Sequence, residues 1–136
     1  MHQHIHVVIH SDPEVYEIKF KNNSDAAVAE YADAILEKGR EFLEQKRTAP
    51  IYILIDITQS GLYSLQFAIQ YIRRNTEQLS DVPNAYFAYL TDSPSERILI
   101  QQFSFFQNTR SRDSRKVFAS HAREEAIAWL ISNTES

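Results

Sequence analysis

Four histidines open the chain in the stretch "HQHIHVVIH", with His2, His4, His6 and His10 on even positions and Ile5, Val7 and Ile9 on odd ones. Residues two apart share one face of a strand, so His4 and His6 are placed to ligate one metal ion together, with His2 or His10 reaching in from either side. No carboxylate precedes Asp12 to orient such ligands, and good metal sites need those outer partners. The same spacing describes a strand with a polar face, and we read it so, with Ile5, Val7 and Ile9 turned inward and no metal expected. Serine, histidine and aspartate are all present, yet no serine lies in a nucleophile-elbow pattern, and Ser120-His121 stands at a helix start where a capping role is available. Glu124 and Glu125 fall in the first turn of the same helix, where carboxylates favour the positive end of its dipole. "RSRDSRK" puts Arg110, Arg112, Arg115 and Lys116 into one connector, suited to a phosphate-bearing partner or simply to solvent. No catalytic constellation emerges, and the chain is expected not to be an enzyme.

"DITQSGLYS" carries a different kind of chemistry. It follows an apolar strand and precedes a helix, and in open α/β sheets the crevice at the carboxyl ends of the strands is where sites form. A helix start there offers unpaired N–H groups to an anion or a phosphoryl group. Asp56, Thr58, Ser60 and Ser64 lie at that end, and strand-end and helix-cap polarity accounts for the same residues.

The elements that position these residues follow from hydrophobic period. "HIHVVIH" and "EVYEIKF" alternate with period two around Asp12-Pro13 and read as an antiparallel hairpin. The period then changes. Val28, Tyr31, Ala32, Ile35, Leu36, Gly39, Phe42 and Leu43 form a helical stripe, capped by Ser24 or Asp25. "IYILIDI" is apolar throughout and predicts a central strand at about 51–57, buried on both faces. "SLQFAIQYIRRNTEQL" predicts a helix and "NAYFAYL" a strand. "TDSPSE" then supplies Ser93 as a cap, Pro94 at the first helical position and Glu96 to close a capping box, with Ile98, Leu99, Gln102, Phe103 and Phe106 as the apolar side of the helix that follows. "KVFAS" and "REEAIAWLI" complete the order β-β-α-β-α-β-α-β-α, an α/β fold with a mixed, largely parallel sheet and an N-terminal antiparallel hairpin.

Length and composition bound the rest. With 136 residues, 43% hydrophobic and 12% aromatic, one core and a single domain over 1–136 are expected. A net charge of −4 offers no general attraction for nucleic acid. No cysteine is present, which removes thiol chemistry and suits a reducing cytoplasm. Two glycines are too few for a glycine-rich phosphate loop, so no nucleotide cofactor is expected. No apolar run approaches the ~20 residues of a membrane span. Because "IYILIDI" and "NAYFAYL" are apolar on both faces, either helices cover the sheet on both sides or a second copy does, and a homodimer is expected on that ground.

Four stretches, "KFKNNSDAAVAEYADAIL", "IYILIDIT", "TDSPSERILIQQF" and "VFASHAREEAIAWL", together resemble the STAS domain family, the fold of bacterial anti-sigma factor antagonists, and in particular its SpoIIAA-like branch. The resemblance spans nearly the whole chain. It implies a non-enzymatic regulatory module whose protein partner is a regulatory kinase or an anti-sigma factor. Phospho-switching members carry an Asp-Ser-Ser-Gly-Leu turn. Here the turn is shortened to Gln59-Ser60-Gly61-Leu62, and Gln59 stands where the phosphorylated serine would be. The standard switch is therefore not expected, and Ser60 is the one motif serine left. The interaction surface implied is Asp56, Thr58, Gln59, Ser60, Gly61, Leu62 and Ser64, with Asp92 and Ser93 in the neighbouring strand-end loop. The alternative is a small apolar-ligand or lipid-binding domain with a pocket lined by Phe67, Tyr71, Phe103 and Phe106.

Overall fold

The computed structural model describes residues 3–11, 14–75, 84–108 and 114–132, together with the backbone but not the side chains of 75 and 106–108. His2, the Asp12-Pro13 break, the end of the second predicted helix at 76–79 and Arg110 and Arg112 of the basic connector lie outside these residues, as does the Phe106 side chain.

Five strands form one sheet: β1 (Ile5–His10), β2 (Val15–Phe20), β3 (Ile51–Asp56), β4 (Ala85–Leu90) and β5 (Ser114–Phe118). They lie side by side in sequence order. β1 and β2 are antiparallel and the remaining neighbours parallel. Four helices alternate with the strands after the hairpin: α1 (Asp25–Glu44), α2 (Leu65–Asn75), α3 (Pro94–Asn108) and α4 (Arg123–Ile131). The element order and the mixed sheet are those expected from hydrophobic period.

α1 begins where Ser24 Oγ accepts the N–H of Ala27 at 3.2 Å, and its predicted stripe turns inward, with Val28, Tyr31, Ala32, Leu36, Gly39 and Phe42 buried. All six residues of β3 are buried. Ile51, Ile53 and Ile55 enter one core with Phe20, Tyr31, Tyr63 and Ile100, between the sheet and α1, α2 and α3. Tyr52 and Leu54 enter a second core with Ala126 and Leu130 of α4. The second face of β3–β5 is thus covered by the chain's own last helix, and a second copy is not needed there.

Three readings of local pattern are corrected. On α3 the inward positions are Ile100 and Ser104, with Glu96 and Phe103 half-buried, while Ile98 and Leu99 are more than half exposed. The helix is rotated from the expected side because Glu96 is drawn in by two hydrogen bonds described below. Arg115 and Lys116 are not in a loop but in β5, where the Arg115 guanidinium lies over the rings of Phe87 and Phe103 at 4.9 and 5.6 Å. Ile9 shares the inward face of β1 with Ile5 and Val7 yet is 54% exposed, because β1 is an edge strand.

The histidines go to separate partners. His4 Nδ1 is 2.9 Å from Asn22 Nδ2, His6 is exposed, and His10 Nε2 is 2.7 Å from Glu17 Oε1. Among the described residues, no group of three His, Asp or Glu side chains is arranged to hold a metal ion.

Glu17 is a charge inside the alternating β2 pattern, and the fold buries it to 8% exposure. The Arg123 guanidinium, in the first turn of α4, donates to its Oε1. Burial opposes the carboxylate, but the hydrogen bonds and charges of Arg123 and His10 outweigh it and hold its pKa below the usual glutamate value. A carboxyl with a lowered folded pKa adds stability above the unfolded value of about 4.3, and that contribution is lost as pH falls through the folded value. Urea unfolding measured across a pH series is expected to show the native chain losing stability below about pH 4.3. Glu17→Gln is expected to be less stable at neutral pH and to show a shallower acid limb; an unchanged limb would remove Glu17 from the account.

Candidate functional site

The carboxyl ends of β3, β4 and β5 lead into three loops, and short polar side chains chain these loops together. In the first, Ile57 continues the sheet by donating its N–H to Leu90 O at 3.2 Å. Asp56 is buried at the strand end, and its Oδ1 accepts the N–H and the hydroxyl of Thr58 at 2.9 and 2.6 Å, the geometry by which an aspartate initiates a turn. Gly61 N–H returns to Ile57 O at 3.0 Å and closes the loop. Gly61 has φ +78°, and a Cβ there would lie 3.4 Å from Glu96 Oε2, so the turn requires glycine for its left-handed backbone. Thr58 and Gln59 are exposed at the apex, and Ser60 and Leu62 are half-buried.

Ser60 does not cap α2. Its hydroxyl donates to Gly61 O at 2.8 Å, while Ser64 Oγ accepts the N–H of Phe67 at 3.1 Å and is the cap. Between them Tyr63 is buried and stacks on Phe20 with ring centroids 4.8 Å apart. This ring pins the back of the turn to the core. Burial, the first cause, together with the neighbouring Tyr31 and Tyr89 hydroxyls, holds the Tyr63 phenol well above its usual pKa.

Glu96 joins the first loop to the second. Its Oε2 accepts the N–H of Leu62 at 2.9 Å, and its Oε1 accepts the Thr91 hydroxyl at 2.8 Å. The capping box expected from "SPSE" is therefore only half present. Ser93 Oγ accepts the N–H of Glu96 at 3.3 Å, but the N–H of Ser93 goes to Thr91 Oγ1 at 3.2 Å instead of to Glu96. Sequence spacing points Glu96 at its own helix end; nothing in it marks a partner 34 residues away.

Asp92 joins the second loop to the third. Its two carboxylate oxygens accept the hydroxyl and the backbone N–H of Ser120 at 2.7 and 3.0 Å. The hydroxyl bond first, then the N–H and the nearby His121, hold the Asp92 carboxyl below the usual aspartate range. Ser120 therefore caps no helix. The segment Ser120–Ala122 is a turn of 3-10 helix, and α4 starts after Ala122 without a side-chain cap. An open hollow of about 270 Å³ lies beside this link, lined by Asp92, Ser93, Arg97 and His121 among others.

The predicted surface residues thus fall on one edge of the molecule. Asp56, Thr58, Gln59, Ser60, Gly61, Leu62 and Ser64 lie in the first loop, and Asp92 and Ser93 in the second. The serine hydroxyls there are engaged with backbone groups or with one another: Ser60 with Gly61 O, Ser64 with Phe67 N–H, and Ser93 with Glu96 N–H and Ser95.

The aromatic pocket takes a different shape from the expected one. Phe67 and Tyr71 contact each other at 6.0 Å, and the Tyr71 hydroxyl donates to Asp33 at 2.9 Å. Phe103 instead lines a hollow of about 180 Å³ beside α2, with Tyr63, Leu65, Phe87, Arg73 and Arg115 around it. Among the described residues no helix is long and apolar enough to cross a membrane.

No family model and no curated protein matches the sequence. Among solved structures the chain is similar to an uncharacterized protein of the DUF3478 family with a SpoIIAA-like fold from Shewanella loihica PV-4. That match has a TM-score of 0.60 at 20% identity and covers 96% of this chain and 97% of the other. The fold is SpoIIAA-like, which bears out the sequence resemblance at the level of architecture.

Replacing Glu96 by alanine leaves the donors Leu62 N–H and the Thr91 hydroxyl without their acceptor, and a lost hydrogen-bond partner of this kind costs about 1–3 kcal/mol. Glu96→Ala is expected to lower stability by about that amount in urea unfolding, to raise amide exchange at Leu62 and to leave helix content by circular dichroism unchanged, since Ser93 still caps α3. Frayed helix signal with unchanged exchange at Leu62 would return Glu96 to a capping role.

Proposed function

We propose that the chain is a non-enzymatic regulatory interaction module of the anti-sigma factor antagonist type, acting in the cytoplasm by presenting the β3–α2 turn to a protein partner. The observation that carries this reading is the Glu96 bridge. It holds the turn in one conformation from behind while Thr58 and Gln59 face outward at its apex. A pre-organised loop loses less conformational freedom when a partner docks. The partner class, a kinase or an anti-sigma factor, comes from the family resemblance.

Ser60 is the residue through which such a surface would be switched. It is half-buried, and its hydroxyl has no structural duty beyond a bond to the adjacent carbonyl. A phosphate there adds about −1.5 to −2 charge close to the Glu96 carboxylate that holds the turn, so modification would act on the docking conformation as well as on its charge.

A second reading is supported by the hollow beside α2. It is a half-open hollow of about 180 Å³, lined by aromatic and aliphatic side chains with Arg73 and Arg115 at its wall, and would take a small molecule with an apolar body and an anionic group. Native mass spectrometry of protein purified from cells separates the two, because a retained small molecule favours this second reading.

Ser60→Ala is expected to fold with unchanged thermal stability and to retain its partner, whereas Ser64→Ala, which removes the true cap of α2, should cost about 0.5–2 kcal/mol. Ser60→Asp should fold and lose or weaken the partner in a pull-down from the host. An unchanged set of partners for Ser60→Asp would count against the turn as the docking surface.

A further inference from the structure

We infer that the free edge of β1 is a pairing surface for a second copy of this chain. Among the described residues β1 is hydrogen-bonded to β2 alone, so its other edge faces outward. The ladder shows which backbone groups lie there. Lys21 N–H donates to His4 O at 2.9 Å, which makes Ile5 and Phe20 a non-hydrogen-bonded pair. Because such pairs alternate along an antiparallel ladder, His6, Val8 and His10 direct their N–H and C=O groups to β2. Ile5, Val7 and Ile9 direct theirs away from the sheet.

Edge strands of monomeric proteins are normally protected by a lysine, a proline, a bulge or an inward charge. The strand "IHVVIH" has none of these, and its six residues pair with β2 in unbroken register. It also carries exposed apolar side chains, with Ile9 54% and Val8 37% accessible. Below it, Val7, Ile9, Tyr16, Ile18 and Ile35 line a cleft of about 170 Å³ between the hairpin and α1. An added strand would place alternate side chains over that cleft.

The occupant follows from the order of residues in β1, which is self-complementary. Antiparallel pairing about a two-fold axis at Val7 sets Val7 opposite Val7 and Ile5 opposite Ile9, all on the face that carries the cleft. On the other face it sets His6 opposite Val8. His4 falls opposite His10, and each of these already has a carboxylate nearby, Glu30 at 3.7 Å and Glu17 at 2.7 Å. No lysine meets lysine and no acid meets acid. The two sheets become continuous, the two α1 helices flank the axis on one side, and Ile9 gains a cross-strand isoleucine neighbour of the kind that stabilises antiparallel pairs. This dimer uses the edge of the sheet, and so is independent of the face that α4 already covers and of the β3–α2 turn.

Sedimentation velocity over a concentration series, combined with cysteine cross-linking, tests the assignment. The native chain is expected to dimerise reversibly. Ile9→Lys puts an ammonium into each half of the seam and should weaken the dimer by about tenfold or more, with an unchanged melting temperature at concentrations where the native chain is monomeric, because Ile9 is already exposed; Ile9→Thr is the milder variant should the lysine disturb folding. The chain has no cysteine of its own, so Val7→Cys reports alone. Facing α-carbons about 5.5 Å apart lie within disulfide range, and Val7→Cys should oxidise to a covalent dimer where Val8→Cys does not. A chain monomeric at every concentration, a dimer indifferent to both Ile9 variants, or equal cross-linking at positions 7 and 8 would each overturn the proposal. A monomer that binds an extended apolar peptide along β1 would do so too, by giving the edge to a different partner.

Discussion

β3 places six consecutive residues in the interior, all of them buried. The sheet must then be covered on both faces, because apolar strand surface left in water costs roughly 25 cal/mol per Å². Every larger feature follows from this requirement. α1, α2 and α3 cover the face that carries Ile51, Ile53 and Ile55, and α4 covers the face that carries Tyr52 and Leu54. One short helix cannot span five strands, so α4 lies against β3, β4 and β5, reaches Val15 of β2 through the core it covers, and leaves β1 open on that side. Glu17 marks the border of the covered region. Its carboxylate is at once nearly buried and paired with Arg123 of the helix that buries it.

The same geometry brings the loops that leave the four parallel strands β2 to β5 to one edge of the sheet. Their polar side chains are used on one another. Glu96 links the first loop to the second and Asp92 links the second to the third. Each carboxylate satisfies backbone N–H groups that the loops would otherwise leave to solvent, so the exposed apex at Thr58 and Gln59 rests on a hydrogen-bonded base. An ordered apex of this kind suits recognition by shape and charge. The serines beside it bond helix-end N–H groups and a carbonyl.

The side margin of the sheet along β1 is built differently. Among the described residues β1 has no outer neighbour strand, it carries no lysine, proline or acidic residue, and its apolar residues stand beside a cleft. The molecule therefore has two margins of contrasting character, a polar and braced one at the strand ends and an apolar, hydrogen-bond-hungry one along β1.

Much of this architecture was legible in the residues. The change from period two to period three and four, the apolar run of β3, and the cap at Ser24 depend on neighbours in the chain, and neighbours in the chain are what a sequence records. The inward face of α1 and the opposed faces of β3 were readable for the same reason. What the tertiary structure alone decided were the choices among competing partners. Glu96 has a cap within reach and bonds Leu62 and Thr91 instead; Ser120 stands at a helix start and bonds Asp92; Ser64, not Ser60, caps α2. Arg115 leaves an apparently basic connector for a strand because aromatic rings lie across the sheet from it, and the phase of α3 turns with Glu96. Glu96 and Ser120 are polar side chains with a partner nearby in the chain and another far along it. Only the packing of β3 between its helices brings the distant partner to about 3 Å, where the hydrogen bond forms.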